Sequence, residues 1–574
     1  MKNVEKWLPA LVWLRTYNKT DVSADVLASL VVTIMLIPQS LAYAMLAGLP
    51  LSMGLYASIL PLIAYAVFGS SRTLAVGPVA VVSMMTGTAA ASFAIPGSEE
   101  YVAVAILLSV ISGLFLILLG GLKLGFFANL LSHPVISGFI TASAIVIAIS
   151  QMKHILGISI EGHALMEVIP ALFMQITTAH LPTFTLGVTS ITVLLFLRFY
   201  LATVLIRLGF AKQTASLLSK TGPVIVVILS TLIVSFFALD TIGIGVVGSV
   251  PTGFPSLQLP DLSYDQVMLL LPSAALISIV GFVESVSVAQ SFAAKQRQSI
   301  NPNQELIGLG CANIASSLSS GFPVTGGFSR SVVSFDAGAK TPMTGVFSAI
   351  LILMALTFFT SLFYFLPKAV LSATIIVAVL SLVDLKAIKD VWGYSKHDSV
   401  AMIGTIMAVL FYGVEVGITT GVGLSILMFL WHTSHPHIAV VGQVTGTEHF
   451  RNVERFNVEV HESILTLRVD ENLYFANARV MEDKVAALVA EKPNVTDVIL
   501  MCTAINMIDA SALDSLEAIS DRLQSANIKL HLSEVKGPVM DKLKESDLIK
   551  HLSGNVYLTQ YQAVQSILNN THPT

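Results

Sequence analysis

From Val26 to Ser71 the chain runs for 46 residues without an Asp, Glu, Lys or Arg. Two further charge-free runs, Thr341 to Pro367 and Val416 to Thr447, follow. A soluble fold has no use for such stretches, because its surface needs charge and its composition is roughly 25% charged. A bilayer does, since one helical crossing takes about 20 apolar residues. Over all 574 residues only 11% are charged, and mean hydropathy is +0.80. These values exclude a soluble enzyme and a disordered chain, and they require a polytopic α-helical membrane protein. A net charge of −4 makes no case for nucleic acid. The two cysteines, Cys311 and Cys502, suggest neither a disulfide framework nor a metal site.

Charge also divides the chain. Residues 1–435 carry 36 of the 66 charged side chains, about 8% of that stretch, and residues 436–574 carry 30, about 22%. The second figure is ordinary for a soluble domain. The reading is a cytoplasmic N-terminus (1–23), a membrane domain (24–435) and a soluble C-terminal domain (440–570). The short basic N-terminus, followed by an overlong apolar run, does not fit a cleavable signal peptide.

Fourteen hydrophobic segments are predicted, near 24–47, 51–69, 74–92, 102–121, 125–152, 184–206, 222–239, 267–289, 303–319, 325–339, 343–366, 368–385, 398–414 and 416–433. The stretch 164–178 reads as a surface helix. With Lys2, Lys6, Arg15 and Lys19 in the cytoplasm, the even-numbered connections carry eleven cations, including Arg72, Lys123, Lys220 and Lys340. The odd-numbered ones carry two, Lys153 and Lys368. The positive-inside rule therefore returns both termini to the cytoplasm of a multi-pass protein. The acids Glu99, Glu100, Asp240, Asp261 and Asp265 fall in the external loops and receive no role.

Segments three (GPVAVVSMMTGTAAA, 77–91) and ten (GFPVTGGFSRSVVSFDAGAK, 321–340) are too short or too polar for lipid-facing spans. Both begin with Gly and Pro, and each is third in its half if fourteen divides seven and seven. Paired interrupted segments at corresponding positions point to a midplane site in an inverted-repeat transporter. A half-helix starting inside the membrane leaves its first N–H groups unpartnered. Two such termini facing one another form a positive pocket for an anion. The competing reading is that Gly and Pro merely kink ordinary spans.

IPQSLAYAMLAGLPLSMGLYASILPLIAYAVFGSSR, residues 37–72, resembles the signature of the sulfate permease (SulP) anion transporters. Pro50, Gly54-Leu55-Tyr56, Gly69, Ser70-Ser71 and Arg72 fall where that pattern wants them. GGFSRS, 326–331, resembles the family's tenth-segment motif. The C-terminal domain resembles its cytoplasmic STAS domain (sulfate transporter and anti-sigma-factor antagonist). The resemblance implies a seven-plus-seven inverted repeat split into core and gate domains, an elevator-like motion, and a homodimer in the inner (plasma) membrane. It also implies a small inorganic or organic anion as cargo, proton coupling with sodium as the alternative, and a STAS domain able to bind a cytoplasmic regulator. No cofactor is expected.

Residues carry the rest. Pro38 interrupts segment one. Gln39 and Tyr43 follow at i+1 and i+5, about 40° apart on a helix, so both can face one cavity. The resemblance places them against substrate; packing between helices is the alternative. In segment ten Phe328, Ser329 and Arg330 start the half-helix. Arg330 is a charge near the bilayer middle, and it either sits beside the anion or snorkels or pairs with Asp336. In segment three Val79 and Ala80 would offer backbone N–H groups. Glu284 is the only acid of 275–295. Either it forms a structural ion pair with Arg330, or it is protonated part of the time and couples protons to the anion, as the resemblance implies.

The C-terminal part alternates strand patterns (463–470, 495–504, 528–535) with helix patterns (477–492, 511–527, 538–548), an α/β layer domain. Asp509 or Ser511 of "DAS" caps a helix; the STAS phosphorylation loop is the other reading, weakened here because "DASA" departs from the usual "DSSG". No nucleophile–base or metal constellation supports an enzyme. A nucleobase permease of the same fold is disfavoured by Arg330 and the STAS-like domain. A non-transporting regulator is disfavoured by the intact Gln39, Ser329, Arg330 and Glu284 set. Sulfate, bicarbonate, dicarboxylates and halides all fit a pocket of N–H groups and one Arg.

Overall fold

The computed structural model describes residues 7–571, apart from 130–131, 161–164, 213–214, 216–217, 220 and 256–262. Lys2, Lys6, Lys220 and Asp261 lie outside the described residues. The chain forms two compact units, residues 1–425 and 426–574.

Each of the fourteen predicted segments coincides with one or more helices. Segment one is longer than hydropathy predicts. It begins at Lys19 because Asn18 and Asp21 form a reciprocal capping box, with Asn18 Oδ1 accepting from Asp21 N at 3.0 Å. Segment two is two helices, Leu51–Tyr56 and Leu60–Phe68, with Pro61 in the first turn of the second. Segment five begins only at His133, after a 3₁₀ turn at Leu124–Asn129, with Pro134 where a missing N–H is tolerated. The surface stretch forms a helix at Leu165–Gln175 with Met166 and Phe173 exposed.

Among the described residues eight helices are long and apolar enough to cross a membrane alone. The helical parts of segments three and ten are not. Ala80–Ala91 has 12 residues and Phe328–Asp336 has 9, about 18 Å and 14 Å against a hydrocarbon core of about 30 Å.

Two buried carboxylates tie distant loops to the bundle. Glu305, at the start of segment nine, accepts from Tyr65 Oη (2.7 Å), Ser70 N (2.8 Å), Ser70 Oγ (2.6 Å) and Ser71 N (2.9 Å). Asp25, on segment one, accepts from Lys340 N (2.7 Å), Thr341 Oγ1 (2.6 Å) and Thr344 Oγ1 (3.0 Å). A buried carboxylate is tolerable when its lone pairs are filled this way. Gly54 of the signature lets segment two touch segment one: a Cβ there would stand 1.9 Å from the Ser40 carbonyl oxygen.

The first unit holds the short strands β1 (Val76–Gly77) and β2 (Thr325–Gly326). The second holds β3 (Ile438–Gln443), β4 (Phe450–Asn452), β5 (Ile464–Val469), β6 (Asp497–Met501), β7 (Lys529–Ser533) and β8 (Val556–Tyr557), which form one sheet in the order β4-β3-β5-β6-β7-β8. β5 to β8 run parallel, and β3 is antiparallel to both neighbours. Leu465, Leu467, Val498 and Leu500 pack against helices Ala478–Glu491 and Ala510–Ser525; Ile499 and Met501 face helix Gln560–Thr571. Burial on both faces is why β5 and β6 read as near-continuous apolar runs. Asp509 caps its helix, accepting from Ala512 N at 2.9 Å.

Candidate functional site

Two short strands bring the interrupted segments together. β1 (Val76–Gly77) pairs antiparallel with β2 (Thr325–Gly326), Val76 opposite Gly326 and Gly77 opposite Thr325. Each strand leads within three residues into a half-helix, so the ribbon sets the N-termini of Ala80–Ala91 and Phe328–Asp336 side by side. The N-cap residues, Val79 and Gly327, are extended and supply no side-chain cap. The positive helix ends therefore remain available to an anion.

The ribbon is pinned from outside. Gly327 N donates to Ala75 O (3.1 Å), and Ala75 N donates to Ser331 Oγ (3.0 Å). Gly326 N donates to Ser285 Oγ (2.8 Å), which also meets Thr325 Oγ1 at 2.6 Å. Asn313 of segment nine serves the free strand edge, its Nδ2 giving to Val324 O and its Oδ1 taking from Val324 N, both at 2.9 Å. Ser285 adjoins Glu284, so segment eight holds its acid in fixed relation to segment ten.

Gln39, Tyr43, Val79, Ala80, Glu284, Phe328, Ser329 and Arg330 all line one cavity of about 410 Å³. Gln39 is half-buried beside Pro38, Tyr43 is buried, and Ser329 and Phe328 are exposed to the space. Phe328 leans towards Phe292, with ring centroids 6.4 Å apart. Arg330 is 2% exposed, and neither Nη1 nor Nη2 has a hydrogen-bond partner among the described residues. A buried guanidinium with open donors is a strong local source of positive potential. Glu284 lines the same cavity as Arg330, yet among the described residues no ion pair within 4.0 Å joins them. The structural ion pair is thus not what the geometry shows.

Three contributors escaped the sequence reading. Ser285 and Thr325 look like ordinary small polar residues, and only their meeting across 40 positions gives them a task. Arg198 lines the same cavity from segment six. Its signal was present, as a cation well inside an apolar span, and the reading of segment six as an ordinary span passed over it.

Two family models match: the sulfate permease family over residues 22–405 and the STAS domain over 455–563. The chain is 36% identical to "Probable sulfate transporter 4.2" of Arabidopsis thaliana, covering 98% of this chain and 84% of that protein. It is 32% identical to "Probable sulfate transporter MT1781" of Mycobacterium tuberculosis, covering 98% of each. Among solved structures the murine Slc26a9 anion transporter in the inward-facing state superposes with a TM-score of 0.88 at 22% identity, over 99% of this chain and 95% of that one. The transmembrane domain of a cyanobacterial bicarbonate transporter, BicA, gives 0.61 at 22% identity, over 71% of this chain and 99% of that one. Both show a shared fold. With nearly its whole length matched, the chain belongs to the sulfate permease family, membrane transporters of anions that here carry a C-terminal STAS domain, and it is not an enzyme.

Proposed function

We propose that the protein is a secondary active transporter that takes up sulfate or a related small oxyanion with protons, holding the anion between the N-termini of half-helices three and ten. The observation that carries this is Arg330: buried, without a partner for either Nη atom among the described residues, and on the wall of a cavity where two uncapped helix ends meet. Phe328, Ser329 and Arg330 would offer N–H groups from one side and Val79 and Ala80 from the other, with Gln39 and Tyr43 closing the space. Glu284 is the proton-coupling group. Ionised, it competes with the anion for the field of Arg330; protonated, it releases that field, so proton and anion reinforce one another. Sulfate is favoured as cargo by the names of the relatives.

The cavity wall also includes Ser219, Gly222, Pro223, Ser381 and Leu382, at the ends of segments seven and twelve that adjoin positive connections. With both termini in the cytoplasm this is an inward-facing state, and an elevator-like movement of one group of segments against the other would carry the site outward. The functional parts are then residues 24–435 for transport and 440–570 as a STAS domain open to a cytoplasmic regulator, in a homodimer of the inner membrane.

The test is uptake into proteoliposomes from a panel of radiolabelled anions, with and without a pH gradient. Wild type should accumulate sulfate when the outside is acidic, and Arg330→Ala and Ser329→Pro, the latter removing a donor at the helix start, should abolish uptake while remaining folded in the membrane. Normal uptake by both variants would sink the site assignment. A response to sodium but not to pH would change the coupling ion.

A further inference from the structure

Segment six runs from Leu181 to Arg207, and its middle is irregular: a wider π-helical turn occupies Leu197–Leu201 between two α-helical stretches. Such turns are rare and concentrate at functional places. Arg198 lies in this turn, nine residues before Arg207, about 14 Å along the helix axis from that end and well inside the hydrocarbon depth. Its neighbours Phe196, Phe199 and Tyr200 are exposed apolar or aromatic side chains suited to lipid. A cation at such depth is costly unless it faces the protein interior or a watered cavity.

Arg198 does face a cavity, the one that holds Arg330 and Glu284. It is also held in place. Its Nη1 donates to Val377 O at 2.9 Å, one of the carbonyls that the last turn of helix Lys368–Leu380 leaves without an intrahelical partner. That contact uses one of five guanidinium donors. Among the described residues the charged members of the cavity wall are Arg198, Arg330 and Glu284, with Tyr43 as the remaining titratable group. Arg330 and Glu284 come from segments ten and eight, and Arg198 comes from segment six, packed on segment twelve.

The ledger of charge selects a cargo. Counted over the described residues, Arg198, Arg330 and Glu284 sum to +1 with Glu284 ionised and to +2 with Glu284 protonated. A divalent oxyanion bound together with the proton brings the site to zero, whereas a monovalent anion leaves one guanidinium uncompensated. We propose that Arg198 is a second cationic contact for the transported anion and the residue that makes the site prefer divalent over monovalent oxyanions. This rests on the anion site proposed above, and it adds a contact supplied from segment six, which is held to segment twelve.

The experiment compares sulfate with nitrate in proteoliposomes for wild type, Arg198→Gln and Arg198→Lys. Arg198→Gln should raise the KM for sulfate about tenfold or more, the scale of one lost charge-assisted contact, and change that for nitrate less than about threefold. Arg198→Lys keeps the charge and loses the planar fork, and it should recover most of the sulfate preference. If Arg198 only braces segment twelve, both variants fall together and sulfate and nitrate suffer alike, which overturns the proposal while leaving the Arg330 site standing. A wild type that transports neither anion overturns the site and this inference together. Sulfate-against-nitrate protection of the purified variants from thermal unfolding gives the same comparison without transport, and equal protection in wild type and Arg198→Gln counts against the proposal.

Discussion

The guanidinium of Arg330 packs against Gly77: a Cβ built on that glycine would stand 3.0 Å from Nη1. Gly77 also has φ +154, a conformation that side-chain-bearing residues rarely adopt. The two halves of the membrane unit therefore meet at a glycine where a side chain would be both strained and crowded.

Gly77→Ala should place a methyl group against the guanidinium and strain β1 at once. We expect sulfate uptake to fall about tenfold or more, as small displacements of binding groups do, with normal amounts of protein in the membrane. Unchanged uptake would mean that the position of Arg330 is not critical.

Glu284→Gln imitates the protonated acid without a titratable group. It should bind anion with little dependence on pH and exchange anions across the membrane. Accumulation driven by an inward proton gradient should be lost. A variant that still concentrates anion in response to that gradient would assign coupling to another residue.

Glu305→Ala should be the most damaging change far from the cavity. It leaves Tyr65 Oη and the N–H groups of Ser70 and Ser71 buried and unpaired, at a cost of about 3 kcal/mol or more. Thermal unfolding in detergent measures this; Glu305→Gln, which keeps an acceptor, should lose less. Equal melting temperatures for wild type and Glu305→Ala would refute it.

In the second unit the His531 ring meets Asp497 Oδ1 at 3.0 Å, and Asn555 N donates to the other ring nitrogen at the same distance. Burial alone would raise the carboxyl pKa of Asp497, but bonds from His531 and Thr496 outweigh burial and hold it below the usual carboxylate value. A depressed folded-state value contributes stability that is present above about pH 4 and lost as pH falls through the folded value. Hydrogen-exchange protection of β6 and β7 should drop in that acid window, and Asp497→Asn should make the drop shallower while lowering protection at neutral pH. An identical acid profile for the variant would contradict the assignment.

The helices were legible because lipid imposes one rule on every span, and the half-helices because Gly and Pro interrupt that rule twice in corresponding places. Arg330 and Glu284 stood out as lone charges. Glu305 and Asp25 did not, since each lies at a segment boundary where charge is ordinary, and their partners are at least 234 and 315 residues away. Arg198 is also a lone cation inside a span, but no interrupted segment or motif marks it in the sequence. In the C-terminal domain β5, β6 and β7 announced themselves as apolar runs, whereas β4 and β8 have 3 and 2 residues and partly exposed faces, too little pattern to read.

The ribbon of β1 and β2 also sets a timetable. Val76 and Gly326 are separated by 249 intervening residues, so a ribosome adding about 5–20 residues per second finishes the second strand roughly 12–50 s after the first. Until then the first half-helix sits in the bilayer with an exposed edge and no counterpart. The nascent chain must be sheltered through that interval, and any mutation that lengthens it would reduce yield through quality control before it touched transport at all.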